Sequence, residues 1–306
     1  MRITNQRITE LLEIPDTVEQ LFLYGNQLVA LPKLPPQLKK LHCERNNLKS
    51  LPDLPDTLVE LQCDNNQLTE LPALPVSLKY LYCSGNVLAT LPQLPDGLLD
   101  INCFSNTLLV LPELPKSLIK LNCAFNLLSH LPYLPEKLEC LQCANNDLTF
   151  LPDLPSSLKT LYCGKNNLST LPSLPTGLRE LCLHSNAVRE LPTLPKTLIS
   201  LNCTSNKLIC VPELPNTLMR FYHKYNPYTP RFSALINTYM NIEAINQYYA
   251  HRNELKMMLG ALNYMKTDMG NRLCEDTMSY IGNILTNAGG TVQNQIHWLE
   301  SECATI

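Results

Sequence analysis

The sequence predicts an α/β repeat solenoid, with a parallel β-sheet on a concave face, a polyproline-like convex face and a small helical domain at the end. Three observations predict it. Asparagine recurs every twenty residues from Asn26 and Asn46 to Asn226, in all eleven copies of one frame. That frame, LPxLPxxLxxLxCxxNxLxx, runs from 11 to 230 and is typified by LPDLPDTLVELQCDNNQLTE at 51–70. Proline fills its second and fifth positions, save for Leu12 in the first repeat, and no proline follows Pro230. A fixed period of this size means stacked units that each touch only their neighbours.

Residues 1–10 read as a partial repeat, with Ile3 in the Cys slot, Ile8 in the next Leu slot and Gln6 in place of Asn. Eleven full repeats follow over 11–230. In each, the strand is the segment around Leu61, Gln62 and Cys63, where apolar and polar residues alternate with period 2. Leu61 and Cys63 point inward, while Glu60, Gln62 and Asp64 point to the open face. The chain then bends at Asn66, whose amide can satisfy backbone groups that the bend leaves unpaired. The prolines of the return path exclude helix interiors and favour an extended course. From Arg231 the repeat stops, and stripes such as Leu235, Tyr239, Ile242, Ile245 and Tyr249 fit helical spacing. Residues 231–306 are therefore expected to be a helical domain.

Thirteen cysteines suggest a disulfide framework until their placement is considered. Eight of them, Cys43 through Cys163 at intervals of twenty and then Cys203, share one slot that Leu23 and Leu183 fill elsewhere. A slot shared by Cys and Leu is small, buried and apolar. Thiols stacked on parallel strands about 4.8 Å apart have parallel Cβ vectors, which suit neither a disulfide nor converging zinc ligands. Reduced core thiols favour a cytosolic working compartment.

The net charge of −3, with 17% charged residues, does not suggest a nucleic-acid or membrane binder. The N-terminal segment has no apolar signal-peptide core, and no apolar run approaches the roughly twenty residues that span a bilayer. No nucleotide loop, metal cluster or Ser–His–Asp spacing stands out. Neither a cofactor nor a small-molecule substrate is expected.

The motif LxxLxCxxNxL within this frame is a leucine-rich-repeat signature, and the two prolines make it specific. The frame resembles the short bacterial leucine-rich repeat of the YopM, IpaH and SspH effector families, over about seven tenths of the chain. Similar Cys-bearing repeats occur in proteins of large DNA viruses and intracellular bacteria. The resemblance implies a leucine-rich-repeat horseshoe that binds a protein in a host-cell cytosol. IpaH and SspH proteins also carry a ubiquitin-ligase domain with a CxD nucleophile motif, and Cys274, Glu275 and Asp276 match it. Thr277 replaces the basic residue usual after that motif, and only 30 residues follow Asp276. A ligase-like or adaptor role for the tail is thus the alternative to a non-catalytic binding module, and a structural spacer is the third reading.

A partner is expected on the concave face, at frame positions 10, 12, 14, 15 and 17. Most residues there are polar, so aromatic rings mark candidate hot spots. Tyr80, Tyr82, Phe104 and Phe125 form the central group, with Asn102, Asn122 and Leu127 beside them. Phe22 and Tyr24 form a second group near the N-terminus. Neighbour-on-neighbour stacking between repeats is the alternative role for these rings.

Overall fold

The computed structural model describes residues 1–228 and, beyond them, Asn246 alone. Eleven three-residue strands form one parallel sheet in sequential order. They are β1 (Gln20–Phe22), β2 (Lys40–His42), β3 (Glu60–Gln62), β4 (Tyr80–Tyr82), β5 (Asp100–Asn102), β6 (Lys120–Asn122), β7 (Cys140–Gln142), β8 (Thr160–Tyr162), β9 (Glu180–Cys182), β10 (Ser200–Asn202) and β11 (Arg220–Tyr222). Each residue of β1 to β10 pairs with the residue twenty positions on, as in Leu61↔Leu81. The register cannot slip, because a shift of one residue would turn the leucine row out to water.

Pairing continues past the strand ends. Cys63 N donates to Tyr82 O (2.8 Å), and Asn65 N donates to Ser84 O (2.7 Å). The strand leucines and the frame cysteines are fully or almost fully buried, together with Leu23 and Leu183. Between them the asparagines bind successive repeats. Asn66 Nδ2 donates to Cys43 O (3.0 Å) in the preceding repeat and to Cys63 O (3.1 Å) in its own. Its Oδ1 accepts from Leu48 N (3.0 Å). The ladder therefore runs from amide to backbone rather than from amide to amide. Residues 1–10 join the same ladder, with Asn26 Nδ2 donating to Ile3 O (2.8 Å) and Oδ1 accepting from Gln6 N (2.9 Å).

The α/β class expected from sequence is corrected here. Residues 1–228 are a parallel β-solenoid without a helix. A twenty-residue unit that contains a strand and two prolines has no span left for one. The helical domain expected over 231–306 lies outside the described residues apart from Asn246. The polyproline-like return path is also modified. The second proline of each repeat heads a hydrogen-bonded turn, as in Pro55 O accepting from Leu58 N (3.0 Å). Hydroxyls at frame position 7 tie these turns together, a link the sequence reading missed. Thr57 Oγ1 lies 2.9 Å from both Pro36 O and Leu38 O, and Ser77 Oγ donates to Leu58 O (2.6 Å).

Candidate partner-binding face

Side chains at frame positions 10 and 12 lie on the outer face at the two ends of each strand, and each pairs in register with the same position of the next repeat. Position 15 follows in the bend, and there the backbone is left-handed in every repeat. Its φ is 56° at Arg45, 54° at Ser105 and 57° at Phe125, with Gly25 and Gly85 also positive. Only glycine adopts that region without cost, so a ring at position 125 is held there against a local preference.

The central group is brought together on β4 to β6 and the bends that follow. Tyr80 stands exposed at the start of β4, and Tyr82 is half-buried at its end. Tyr82 OH donates to Asp100 Oδ2 (3.4 Å) on the next strand. Burial, and then the Asp100 carboxylate, push the Tyr82 phenol up to about 12. Burial also raises the Asp100 carboxyl, with Lys120 and the Tyr82 bond opposing it. Phe104 and Phe125 meet at 4.9 Å between ring centroids, tilted by 54°. Phe125 keeps 45% of its surface exposed, and Leu127 keeps 49%. Asn102 and Asn122 are register partners whose Oδ1 atoms accept from Phe104 N and Ala124 N, each at 3.2 Å. Leu127 N donates to Leu108 O (3.0 Å), the residue before the exposed Leu109. Leu109, Val110 and Val87 are further exposed apolar residues past the bends of the fourth and fifth repeats, not singled out from the sequence. Their signal was available: apolar residues at frame positions 17, 19 and 20, where most repeats carry polar ones.

The N-terminal group is differently placed. The Arg2 guanidinium lies 5.8 Å from the ring centroids of both Phe22 and Tyr24, and Nη2 donates to Tyr24 OH (2.8 Å). This bond is the main cause that lowers the Tyr24 pKa. Phe22 also meets His42 edge-on at 4.8 Å. Both rings are half-exposed, with the Arg2 guanidinium against them.

Next to them lies a set of paired charges. Glu60 accepts from Lys40 Nζ (2.8 Å) and Gln62 Nε2 (2.8 Å) and contacts His42 Nε2 (3.0 Å). Burial alone would raise its pKa, but Lys40, His42 and Gln62 together hold it below the usual carboxylate range. Asp64 accepts from Ser84 N (2.7 Å). Farther along, Tyr162 donates to Glu180, and that bond first, then burial, pushes the phenol up to about 12. Cys182 Sγ lies 3.1 Å from His184 Nδ1. Burial raises the thiol and lowers the imidazole, so both are held neutral, the reverse of an activated thiolate.

This arrangement of strand, bend and return path recurs in solved structures. YopM from Yersinia pestis, described as a leucine-rich effector protein, is 34% identical over 73% of this chain and 76% of its own, with a TM-score of 0.60. The chain belongs to the YopM family of leucine-rich-repeat proteins. YopM from Yersinia enterocolitica WA-314 is 43% identical over 71% of this chain, with a TM-score of 0.71. Of that relative the chain spans about half the length, 49%. No protein-family model matches the sequence, and no curated protein matches it.

Family membership gives the repeats but not the occupant of their outer face. Cys274, Glu275 and Asp276, which carry the ligase alternative, lie outside the described residues. Among the described residues, no group of three or more His, Cys, Asp or Glu side chains is placed to hold a metal ion. No helix among them is long and apolar enough to cross a membrane.

Proposed function

We propose that this chain is a non-catalytic protein-binding module of effector type, which engages a host-cell protein through the outer face of its sheet. The single observation that supports this best is the Phe104–Phe125 pair. Two large rings stand against each other on a rigid sheet, and one keeps nearly half its surface in water at 45% exposure. Neither is needed to close the core, which the leucine and cysteine rows fill beneath them. A preordered apolar cluster loses little freedom on binding, and buried aromatic anchors dominate interface energies. Tyr80, Tyr82, Asn102, Asn122 and Leu127 complete the hot spot in this reading. Phe22 and Tyr24 are secondary in this reading, because Arg2 already contacts both rings.

The working compartment in this proposal is a host-cell cytosol. It is supported by kinship with a described effector and by eleven free cysteines among the described residues. The test is a partner screen by crosslinking in host-cell cytosol, followed by affinity measurements on single variants. Tyr82→Ala and Phe104→Ala are each expected to cost about 2 kcal/mol, roughly thirtyfold in Kd, with unfolding midpoints unchanged. Parental affinity in both variants would move the site off the central group.

A further inference from the structure

We infer that the partner segment seated on Phe104 and Phe125 carries an aspartate or glutamate side chain, whose carboxylate is held by Asn102, Asn122 and Lys120. This rests on the binding face proposed above and adds the chemistry of what it takes.

The inference starts from the direction in which two amides point. Asn102 closes β5, Asn122 closes β6, and the two are register partners. Each Oδ1 accepts the backbone N–H two residues on, at 3.2 Å, in the local turn that asparagine favours. Those bonds fix which amide atom faces the backbone. Both Nδ2 groups are therefore directed away from it, and neither makes a hydrogen bond among the described residues. Adjacent strands set the two donor groups about 4.8 Å apart, so that each oxygen of one carboxylate can take one donor.

Charge agrees with that polarity. Lys120 stands exposed two residues before Asn122 on the same face and makes no salt bridge among the described residues. The nearest acid is Asp100, half-buried and turned to Tyr82 OH (3.4 Å). An ammonium or guanidinium group at the two amides meets donors and a lysine, with Asp100 as its one acceptor, whereas a carboxylate meets two N–H donors and a positive charge and is opposed by Asp100 alone. The face is not acceptor-poor everywhere. Glu44, Glu60 and Asp64 crowd the second and third repeats and would repel an acid there, which disfavours that part of the face. Phe104 lies two residues beyond Asn102, so the apolar anchor sits about 7 Å from the carboxylate. That separation matches side chains two apart on an extended segment, or one turn apart on a helix.

The probe is a library of random peptides of about twelve residues, displayed on phage and selected on the full chain. Enrichment of Asp or Glu within one helical turn of Phe, Trp, Tyr or Leu is the expected result. A selected peptide is then titrated against the parent and four variants whose circular dichroism and unfolding midpoint match the parent. Asn102→Asp and Asn122→Asp keep the oxygen that accepts the backbone N–H but replace the outward donor with a charged oxygen. Each is expected to weaken binding roughly thirtyfold. Asp100→Asn removes the nearest repelling charge and is expected to tighten binding several-fold. Enrichment of basic or uncharged peptides, or of none, overturns the inference. Loss in Phe104→Ala without loss in either Asn→Asp variant overturns the carboxylate and leaves the face. No loss in any of the three overturns both.

Discussion

Asn122 and Cys123 are neighbours in the chain and face opposite ways. Cys123 is fully buried between Cys103 and Cys143, in a row that has only Leu as its alternative from the first repeat to the tenth. Asn122 belongs to an outer row that reads Phe22, His42, Gln62, Tyr82, Asn102, Asn122, Gln142, Tyr162, Cys182, Asn202 and Tyr222. The two rows share strands, spacing and register, so local geometry cannot explain why one is uniform and the other is not. Packing does. An inward side chain must fill a fixed volume against two copies of itself, and even one methylene of misfit is felt. An outward side chain faces water and is free to vary. The positions that depart from polarity on that freer face are therefore the informative ones.

The largest expected difference between the two rows is chemical access. Burial raises the frame thiols throughout, with Cys103 and Cys203 pushed up to about 12. Cys63, Cys83, Cys123 and Cys143 also rise well above the ordinary value, burial being the main cause. Alkylation of these thiols in the native protein is expected to run on the order of a thousandfold slower than in denaturant, because it waits for opening of the stack. Mass spectrometry of the labelled protein resolves each site. Rapid modification of Cys123 without denaturant would erase the distinction between the rows.

Second in size is the loss of one ladder amide. Asn126 accepts from Leu108 N (3.0 Å) and donates to Cys103 O (3.0 Å) and Cys123 O (3.1 Å). Asn126→Ala strands those buried groups and is expected to cost about 3 kcal/mol in urea unfolding. Asn122→Ala, on the outer row of the same repeat, is expected to cost less than about 1 kcal/mol. Equal costs would mean that the outer row is structural as well.

How much of this was legible in the sequence follows from the same division. The inward row announces itself, because packing forces Leu, Cys and Asn to repeat at fixed offsets, and eleven aligned copies fix the strand registers. The turns headed by Pro15 through Pro215 were less visible, since proline suits both an extended path and the start of a turn. The position-7 hydroxyls were obscured because glutamine, lysine and glycine also occupy that slot. On the outer face the rings could be placed but not their surroundings. No periodicity says that Arg2 folds back against Phe22 and Tyr24 while Phe125 stays exposed beside a half-buried Phe104. That contact depends on a residue outside the frame.

A smaller effect separates two carboxylates on the outer face itself. Glu60 is held below its ordinary range by its partners, so its contribution to stability is present above the unfolded pKa and is lost as pH falls through the folded one. Asp100 is raised, chiefly by burial. Its contribution has the opposite sign: greatest below the unfolded pKa and lost as pH rises through the folded value. Asp100→Asn is therefore expected to raise the unfolding midpoint near pH 7 and leave it unchanged near pH 3. Glu60→Gln should lower the midpoint near pH 7 and change it little near pH 3. Thermal unfolding followed by circular dichroism at both pH values tests the pair.

The smallest expected change in stability tests the freer row most sharply. Phe125 holds a left-handed backbone, φ 57°, in a slot where Gly25 and Gly85 occur in other repeats. Phe125→Gly relieves about 1 kcal/mol of local backbone cost. It also gives the unfolded chain more freedom, which costs about 0.5–1 kcal/mol in the other direction. The ring contact with Phe104 is lost as well, but it is a small loss because nearly half of the Phe125 surface, 45%, already faces water. These terms nearly cancel, and the unfolding free energy is expected to stay within about 0.5 kcal/mol of the parent. Binding has no such cancellation. Removing the ring should weaken a peptide or protein held on this face roughly thirtyfold. A variant that loses stability in step with binding would show that Phe125 belongs to the scaffold. A variant that keeps its stability and loses its partner would show that the ring is retained, against its own backbone preference, for what it touches outside the chain.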